Sequence, residues 1–309
     1  MHFREIVGHE PEKRHLRSLL EAHRLPHALL FVGPEGIGKS LVARALAAAL
    51  FCEEARQGAC GRCAGCRQLQ AGSHPDLFWV RHEAGKREIP IERVRELRDF
   101  VRLRRVRAPL RLAVVEDAHR LGWAAQNALL RTLEEPPPDS LVLLLAPSTA
   151  PLLPTVRSRC RTLSFRPLDR AELLEVLCGR LSIPQPEAER LAELAEGSPG
   201  RALALREASP ELASERVDAL RHSPARYGVL VRWVRDFSDS PEKAAVFLEL
   251  CARRLLRDAL HAADRADKEA ARTLLRRADT VMDALASLRY RSPNLALLLE
   301  SALLRLTRP

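Results

Sequence analysis

A chain of 309 residues is longer than one ordinary small domain, so two or three domains are expected. Its residues are 46% hydrophobic but only 4% aromatic, which calls for cores of Leu, Val and Ala and suits a largely helical protein. The formal net charge of +10 is carried almost wholly by arginine, with lysine only at Lys13, Lys39, Lys86, Lys243 and Lys268. That balance admits nucleic acid or acidic partners, but arginines spread along a chain are equally what solvated faces carry, so charge alone does not assign a DNA binder.

The first residues, Met1 to Glu5, carry no apolar signal-peptide core, and the longest apolar run, Leu141 to Ala146, has the length of a strand. A cytoplasmic chain without membrane contact is expected. An amphipathic helix is predicted from Glu10 to about His23. Ala28 to Val32 then reads as a buried strand, and it feeds Gly33-Pro34-Glu35-Gly36-Ile37-Gly38-Lys39-Ser40, which fits the phosphate-loop pattern G-x-x-x-x-G-K-[ST] at every fixed position. Gly33, Gly36 and Gly38 let consecutive backbone N–H groups converge on phosphate oxygens. The following helix, alanine-rich to Leu50, aims its positive end at the same anion. Lys39 would reach the β- and γ-phosphates of ATP or ADP, and Ser40 would hold Mg²⁺.

Cys60-Gly61-Arg62-Cys63-Ala64-Gly65-Cys66, with Cys52 upstream, supplies two C-x-x-C steps and a fourth sulfur. Such a set suits tetrahedral Zn²⁺ in a closed structural site rather than a disulfide framework. An iron–sulfur cluster is the rival, but the run that would want a further cysteine has Gln70 there; His74 is the other candidate ligand.

Asp76 to Val80 reads as a second strand. Glu92 to about Arg105 has helical spacing, with Val94, Leu97, Val101 and Leu103 on one face. Leu112 to Val115 is a third strand and ends in Glu116-Asp117. An acid at that strand end holds Mg²⁺ through water in a phosphate-loop enzyme, and a neighbouring acid can activate the attacking water. A helix from Ala124 to Leu133 halts near Pro136, and strands follow at Leu141 to Ala146 and Arg161 to Phe165. Arg159, between Ser158 and Cys160, is either a solvated edge residue or a side chain that reaches a neighbouring subunit's phosphates.

After Pro167 only helical periodicity remains. Asp169 is a predicted N-cap for a helix through Leu177, and Glu187 to Ala195 makes another. Gly197-Ser198-Pro199-Gly200 breaks the chain before a third. Longer helices are predicted at Pro241 to Ala263, Lys268 to Leu288 and Asn294 to Leu306, with Cys178 and Cys251 as core residues. Buried strands alternating with helices argue for a parallel sheet covered on both faces.

The ordered pieces Ile6-Val7-Gly8-His9-Glu10, Pro26-His27-Ala28-Leu29-Leu30-Phe31, the phosphate loop, the cysteine run, Asn127 to Pro137, Arg157-Ser158-Arg159-Cys160, Gly197 to Ala202 and Asn294 to Leu297 together resemble a family. It is that of bacterial clamp-loader subunits of the AAA+ class, most closely the delta-prime type of the DNA polymerase III holoenzyme. The resemblance implies an α/β AAA+ domain over 1–166 with a zinc module at about 52–66, a helical lid over 167–208 and an all-α collar over 209–309. It implies that Val7 and Gly8 border an adenine pocket, that Arg201 is the lid's sensor arginine, and that Ser148 or Thr149 is the first sensor. Arg159 would be an arginine finger acting in trans. The partners implied are gamma/tau and delta subunits in a pentameric ring that places a sliding clamp on primed DNA.

Motors of that family end the third strand in Asp-Glu, whereas this chain has Glu116-Asp117. The extra methylene displaces both metal and water, and errors near 1 Å can cost on the order of 10²-fold in rate. Weak or absent ATPase of its own is therefore expected, with a non-motor role in the ring. The alternatives are an active gamma/tau-like motor and a zinc-bearing nucleic-acid binder.

Overall fold

The computed structural model describes residues 2–54, 59–82, 88–208, 241–291 and 294–306. They form two compact units, one of the described residues within 1–192 and 196–200 and one of those within 193–195 and 201–309.

The first unit is built on five parallel strands: β1 (Ala28–Val32), β2 (Leu77–Val80), β3 (Arg111–Val115), β4 (Ser140–Ala146) and β5 (Arg161–Ser164). Their order across the sheet is β2-β3-β4-β1-β5. Parallel strands need crossovers: α1 (Glu10–Glu21) precedes the sheet, and α2 (Lys39–Phe51), α3 (Ala64–Gln70), α4 (Ile91–Arg102) and α5 (Trp123–Glu134) lie between its strands in the chain. Side chains alternate along each strand, as the pleat requires. Leu29, Phe31, Leu112, Val114, Leu141, Leu143 and Leu145 face α2, while Leu30, Ala113, Val115, Val142 and Leu144 face α4 and α5. Both faces are dry at the central strands β1, β3 and β4, which is why those read as apolar runs, whereas three of the four residues of the edge strand β5 are exposed. In α2 every residue from Val42 to Phe51 except Arg44 is buried, and its alanines let the helix lie close on the sheet.

All five strands fall where the sequence places them, to within one residue at either end. Helix α4 differs. It stops at Arg102, and Leu103, expected on its apolar face, is extended and 61% exposed. The cause lies far away in sequence. Fully buried Asp76 accepts the backbone N–H groups of Val106 at 2.8 Å, Arg107 at 2.8 Å and Ala108 at 2.9 Å, which draws the chain out of the helix.

The turn after β4 leads into the short α6 (Pro154–Arg157). Asp169 caps α7 (Arg170–Leu174) as expected, in a reciprocal box with Glu172. The helix then widens into a π turn over Glu175–Arg180. Cys178 lies in that turn, half-buried, and its thiol donates to Gln185 Oε1 at 3.3 Å, so it is not the core residue expected. Cys251 is buried at 1% exposure, as expected. α8 (Gln185–Leu194) and α9 (Pro199–Ala208) follow.

In the second unit, α10 (Pro241–Asp264), α11 (Lys268–Arg291) and α12 (Leu295–Leu306) share one core around Phe247, Leu248, Leu255, Val281, Leu285 and Leu303. Among the described residues no helix is long and apolar enough to cross a membrane.

Candidate functional site

The phosphate loop joins the end of β1 to the start of α2, beside the carboxyl ends of β3 and β4. Gly36 and Gly38 have φ of 72° and 110°, conformations that side chains resist. At Gly33 a Cβ would stand 2.3 Å from the carbonyl oxygen of Phe165, so only glycine lets the loop pass beneath β5. Gly38 is the N-cap of α2 and brings no side-chain cap of its own, and Lys39 and Ser40 are the helix's first two residues. The glycine conformations and the helix start match what a phosphate cradle requires.

Lys39 Nζ donates to the carbonyls of Gly33 at 2.5 Å and Pro34 at 2.7 Å. Burial lowers its pKa to about 8, against the opposing pull of Glu35, Asp117 and Glu116. The strand-end carboxylates behave differently from each other. Glu116 Oε1 accepts the Ser40 hydroxyl proton; Oε2 accepts the Trp79 indole N–H at 2.9 Å and lies 3.3 Å from Arg81 Nε. Asp117 has a left-handed backbone (φ 57°), and burial holds its carboxyl above the usual range. His119 Nε2 stands 3.8 Å from Glu35 Oε1, and burial keeps that imidazole below its ordinary pKa. Glu116 therefore takes the place beside the loop serine, and the shorter Asp117 comes second.

Two further contacts frame the loop. His9, buried and with φ of 57°, places Nε2 2.7 Å from the Ile37 carbonyl and packs edge-on against Phe165. Ser198 Oγ donates to the Glu35 carbonyl at 2.8 Å, and the Gly200 N–H to the Gly36 carbonyl at 3.0 Å. The Gly-Ser-Pro-Gly turn thus sits directly on the phosphate loop. Gly8, with φ of 73°, abuts Leu168 and Glu172, and Val7 beside it is partly exposed. Arg201 lies in the second unit, 2.7 Å from Glu249. Ser148 is exposed and Thr149 half-buried just beyond β4. Gln126 pins that turn by donating to the carbonyls of Leu121 and Pro151 and accepting the Leu153 N–H at 2.7 Å.

Arg159 follows α6. One terminal nitrogen lies 2.7 Å from Glu134 Oε1 and the other donates to the Thr155 carbonyl at 2.9 Å, with a third of the side chain exposed.

The ligand atoms of Cys52, Cys60, Cys63 and Cys66 lie within 4.8 Å of one another, and the Sγ atoms of Cys60 and Cys66 are 3.9 Å apart. Four sulfurs at about 2.3 Å from one ion stand about 3.8 Å apart, so the set fits a tetrahedral metal. Backbone N–H groups already point at three of these sulfurs. Cys60 donates to Cys52 Sγ, Cys63 to Cys60 Sγ and Cys66 to Cys63 Sγ, each at 3.3 Å. Those bonds favour thiolate sulfur. Backbone hydrogen bonding lowers the Cys63 pKa to about 7, while burial pushes the Cys66 thiol up to about 12. His74 is not in the group. Its ring stacks on Phe51 at 4.0 Å and its Nδ1 accepts the Asp76 N–H at 3.1 Å.

The residues that local sequence patterns missed are Trp79, Arg81, Gln126, Glu134 and His9. Glu134 and His9 lie inside the Asn127 to Pro137 and Ile6 to Glu10 motifs, so their presence was readable but their partners were not. Trp79 sits on the strand flanking β3, in register with Val114, and only that pairing brings it to Glu116.

The sequence profile of the family described as DNA polymerase III, delta subunit, matches residues 8–169, more than half of the chain. The delta' subunit of Pseudomonas aeruginosa is 39% identical over 175 residues, which is 56% of this chain and 53% of that protein. The Escherichia coli delta' subunit is 35% identical over 196 residues, 63% of this chain and 59% of that protein. The Escherichia coli tau subunit is 36% identical over 210 residues, 66% of this chain and 32% of that protein. The match thus spans little more than half the length of the curated delta' relatives. A gamma-subunit-related protein of Thermotoga maritima superposes with a TM-score of 0.50 at 16% identity, covering 94% of this chain and 98% of that one, which shows a shared fold. On the match across the sheet domain, the chain belongs to the DNA polymerase III delta-subunit family.

Proposed function

We propose that this chain is a non-motor member of the clamp-loader ring, one that donates Arg159 to the nucleotide of an adjacent motor subunit. The observation that carries the reading is the contrast between its two charged sites. Glu116 has both oxygens committed to Ser40, Trp79 and Arg81, and Asp117 is too short to take the second acid's place. Arg159 is partly exposed and held in one orientation by Glu134 and Thr155. A guanidinium so oriented loses little freedom on meeting a phosphate.

On this reading the phosphate loop grips ATP or ADP through Gly33, Gly36, Gly38 and Lys39, with Ser40 toward Mg²⁺, and turns it over slowly or not at all. Val7 and Gly8 border the base, and Arg201 is the lid's sensor. Zn²⁺ is the metal for Cys52, Cys60, Cys63 and Cys66, in a closed structural site that leaves no coordination position for chemistry. The lid spans 167–208 and the collar 209–309. The partners are gamma/tau and delta subunits in a pentameric ring, with the sliding clamp and primed DNA engaged by the assembly in the cytoplasm.

The double change Glu116→Asp with Asp117→Glu restores the motor order and tests the silent-site half of the reading. Steady-state turnover by the wild-type chain at a motor's rate would defeat it; a rise from near zero in the double variant supports it. The second reading, an active gamma/tau-like motor, draws on the 36% identity to tau and the intact loop.

A further inference from the structure

We propose that Trp79 and Arg81 are positioning residues that decide how much a divalent cation helps nucleotide to bind at the phosphate loop. The inference rests on the proposal that the loop holds nucleotide.

The geometry is specific. Glu116 Oε1 is turned to the Ser40 hydroxyl, an arrangement that leaves the serine oxygen's lone pairs for a metal. Oε2 is the remaining oxygen to which the metal's water would donate a hydrogen bond. It is already the acceptor for Trp79 Nε1 at 2.9 Å and lies 3.3 Å from Arg81 Nε. Two guanidiniums also approach the indole, that of Arg44 at 5.2 Å and that of Arg81 at 5.8 Å from the ring centroid. The carboxylate is thus hydrogen-bonded at both oxygens and partly neutralised by Arg81. Mg²⁺ keeps most of its water and binds through few carboxylates, so it depends on acceptors for that water. With Oε2 taken, the cation gains little here, and nucleotide is held chiefly by backbone N–H groups and Lys39.

The phosphate loop of this chain thus grips nucleotide almost equally with and without Mg²⁺. Freeing Oε2 restores the dependence.

The test is equilibrium binding of a fluorescent ADP to the purified chain, once in Mg²⁺ and once in EDTA. Wild type is expected to give nearly the same Kd in both. Trp79→Phe keeps an aromatic ring beside the arginines but removes the N–H, and Arg81→Gln removes the charge from an exposed position. The double variant is expected to bind about tenfold more tightly in Mg²⁺ than in EDTA, the scale of one hydrogen bond to a charged group. Arg81→Gln alone should move part of the way, and it keeps the test alive if Trp79→Phe fails to fold, as a thermal melt would reveal. A wild type that already needs Mg²⁺, or a folded double variant whose two Kd values stay equal, overturns the proposal. No binding by wild type in either buffer overturns the nucleotide reading itself, and this proposal with it.

Discussion

Arg159 and Glu134 form an ion pair of 2.7 Å that joins the turn before β5 to the end of α5. The pair holds the guanidinium over the chain's own surface while a third of it stays exposed. A partly exposed pair of this kind contributes little to stability, on the order of 0–1 kcal/mol, and under the proposed function its part is to orient the guanidinium. Glu134→Gln is therefore expected to leave the melting temperature nearly unchanged. In the assembled loader it should lower DNA-stimulated ATP turnover, because the freed guanidinium must be ordered at each encounter. Equal turnover for the variant and wild-type assemblies would show that Glu134 does not orient Arg159.

Asp76 carries a structural prediction. It is fully buried and accepts three backbone N–H groups, with Arg111 3.8 Å away. Burial alone would raise its pKa, but those donors and Arg111 hold the carboxyl below the usual range. Asp76→Asn removes the charge and turns an amide N–H₂ toward donors. A loss of about 2–4 kcal/mol is expected in chemical denaturation. Because the folded-state pKa is depressed, the wild-type advantage is full above the unfolded carboxylate pKa. It is lost as pH falls through the lower folded value, so the two proteins should converge in acid.

Lys39 predicts two opposed pH slopes. Its folded pKa is lowered from 10.5 to about 8. Between those values the unfolded chain binds more protons, so this group makes stability rise with pH in that window. Nucleotide needs the ammonium form, so affinity for ADP should fall as pH rises through about 8, approaching tenfold per unit where Lys39 alone titrates. A Lys39→Met variant should show neither slope. An affinity that is flat across this range in wild type would mean that Lys39 does not hold phosphate.

The four sulfurs predict one bound metal ion. The purified chain should carry one equivalent of zinc, and Cys66→Ser should carry none and melt at lower temperature, because binding free energy in such a site is folding free energy. A metal-free wild-type chain with an unchanged melt in chelator would leave the cluster without a ligand role.

Much of this was legible in sequence, and the reasons are local. A strand buried on both faces is an apolar run, which placed β1, β3 and β4. The phosphate loop is a spacing of glycines and lysine, and Asp169 is an N-cap residue at the start of a helical run. What stayed hidden depends on pairs distant in the chain. Trp79 meets Glu116 only through the β2–β3 register, Glu134 meets Arg159 across α6, and Asp76, before β2, binds the chain that leaves α4. The periodicity of α4 carried no sign of that pull, which is why Leu103 was expected inside and stands outside. Cys178 was misplaced because a π turn, which rotates the following side chains, leaves no mark in a helical pattern.

The central claim is that this chain acts through Arg159 on a neighbour rather than through its own loop. The most direct measurement is DNA-stimulated ATPase of the reconstituted loader carrying either Arg159→Ala or Lys39→Ala in this chain. The account predicts a loss of 10³-fold or thereabouts at the neighbouring site for Arg159→Ala, the scale of an arginine finger, and near wild-type turnover for Lys39→Ala. Full activity with Arg159→Ala and a large loss with Lys39→Ala would contradict it.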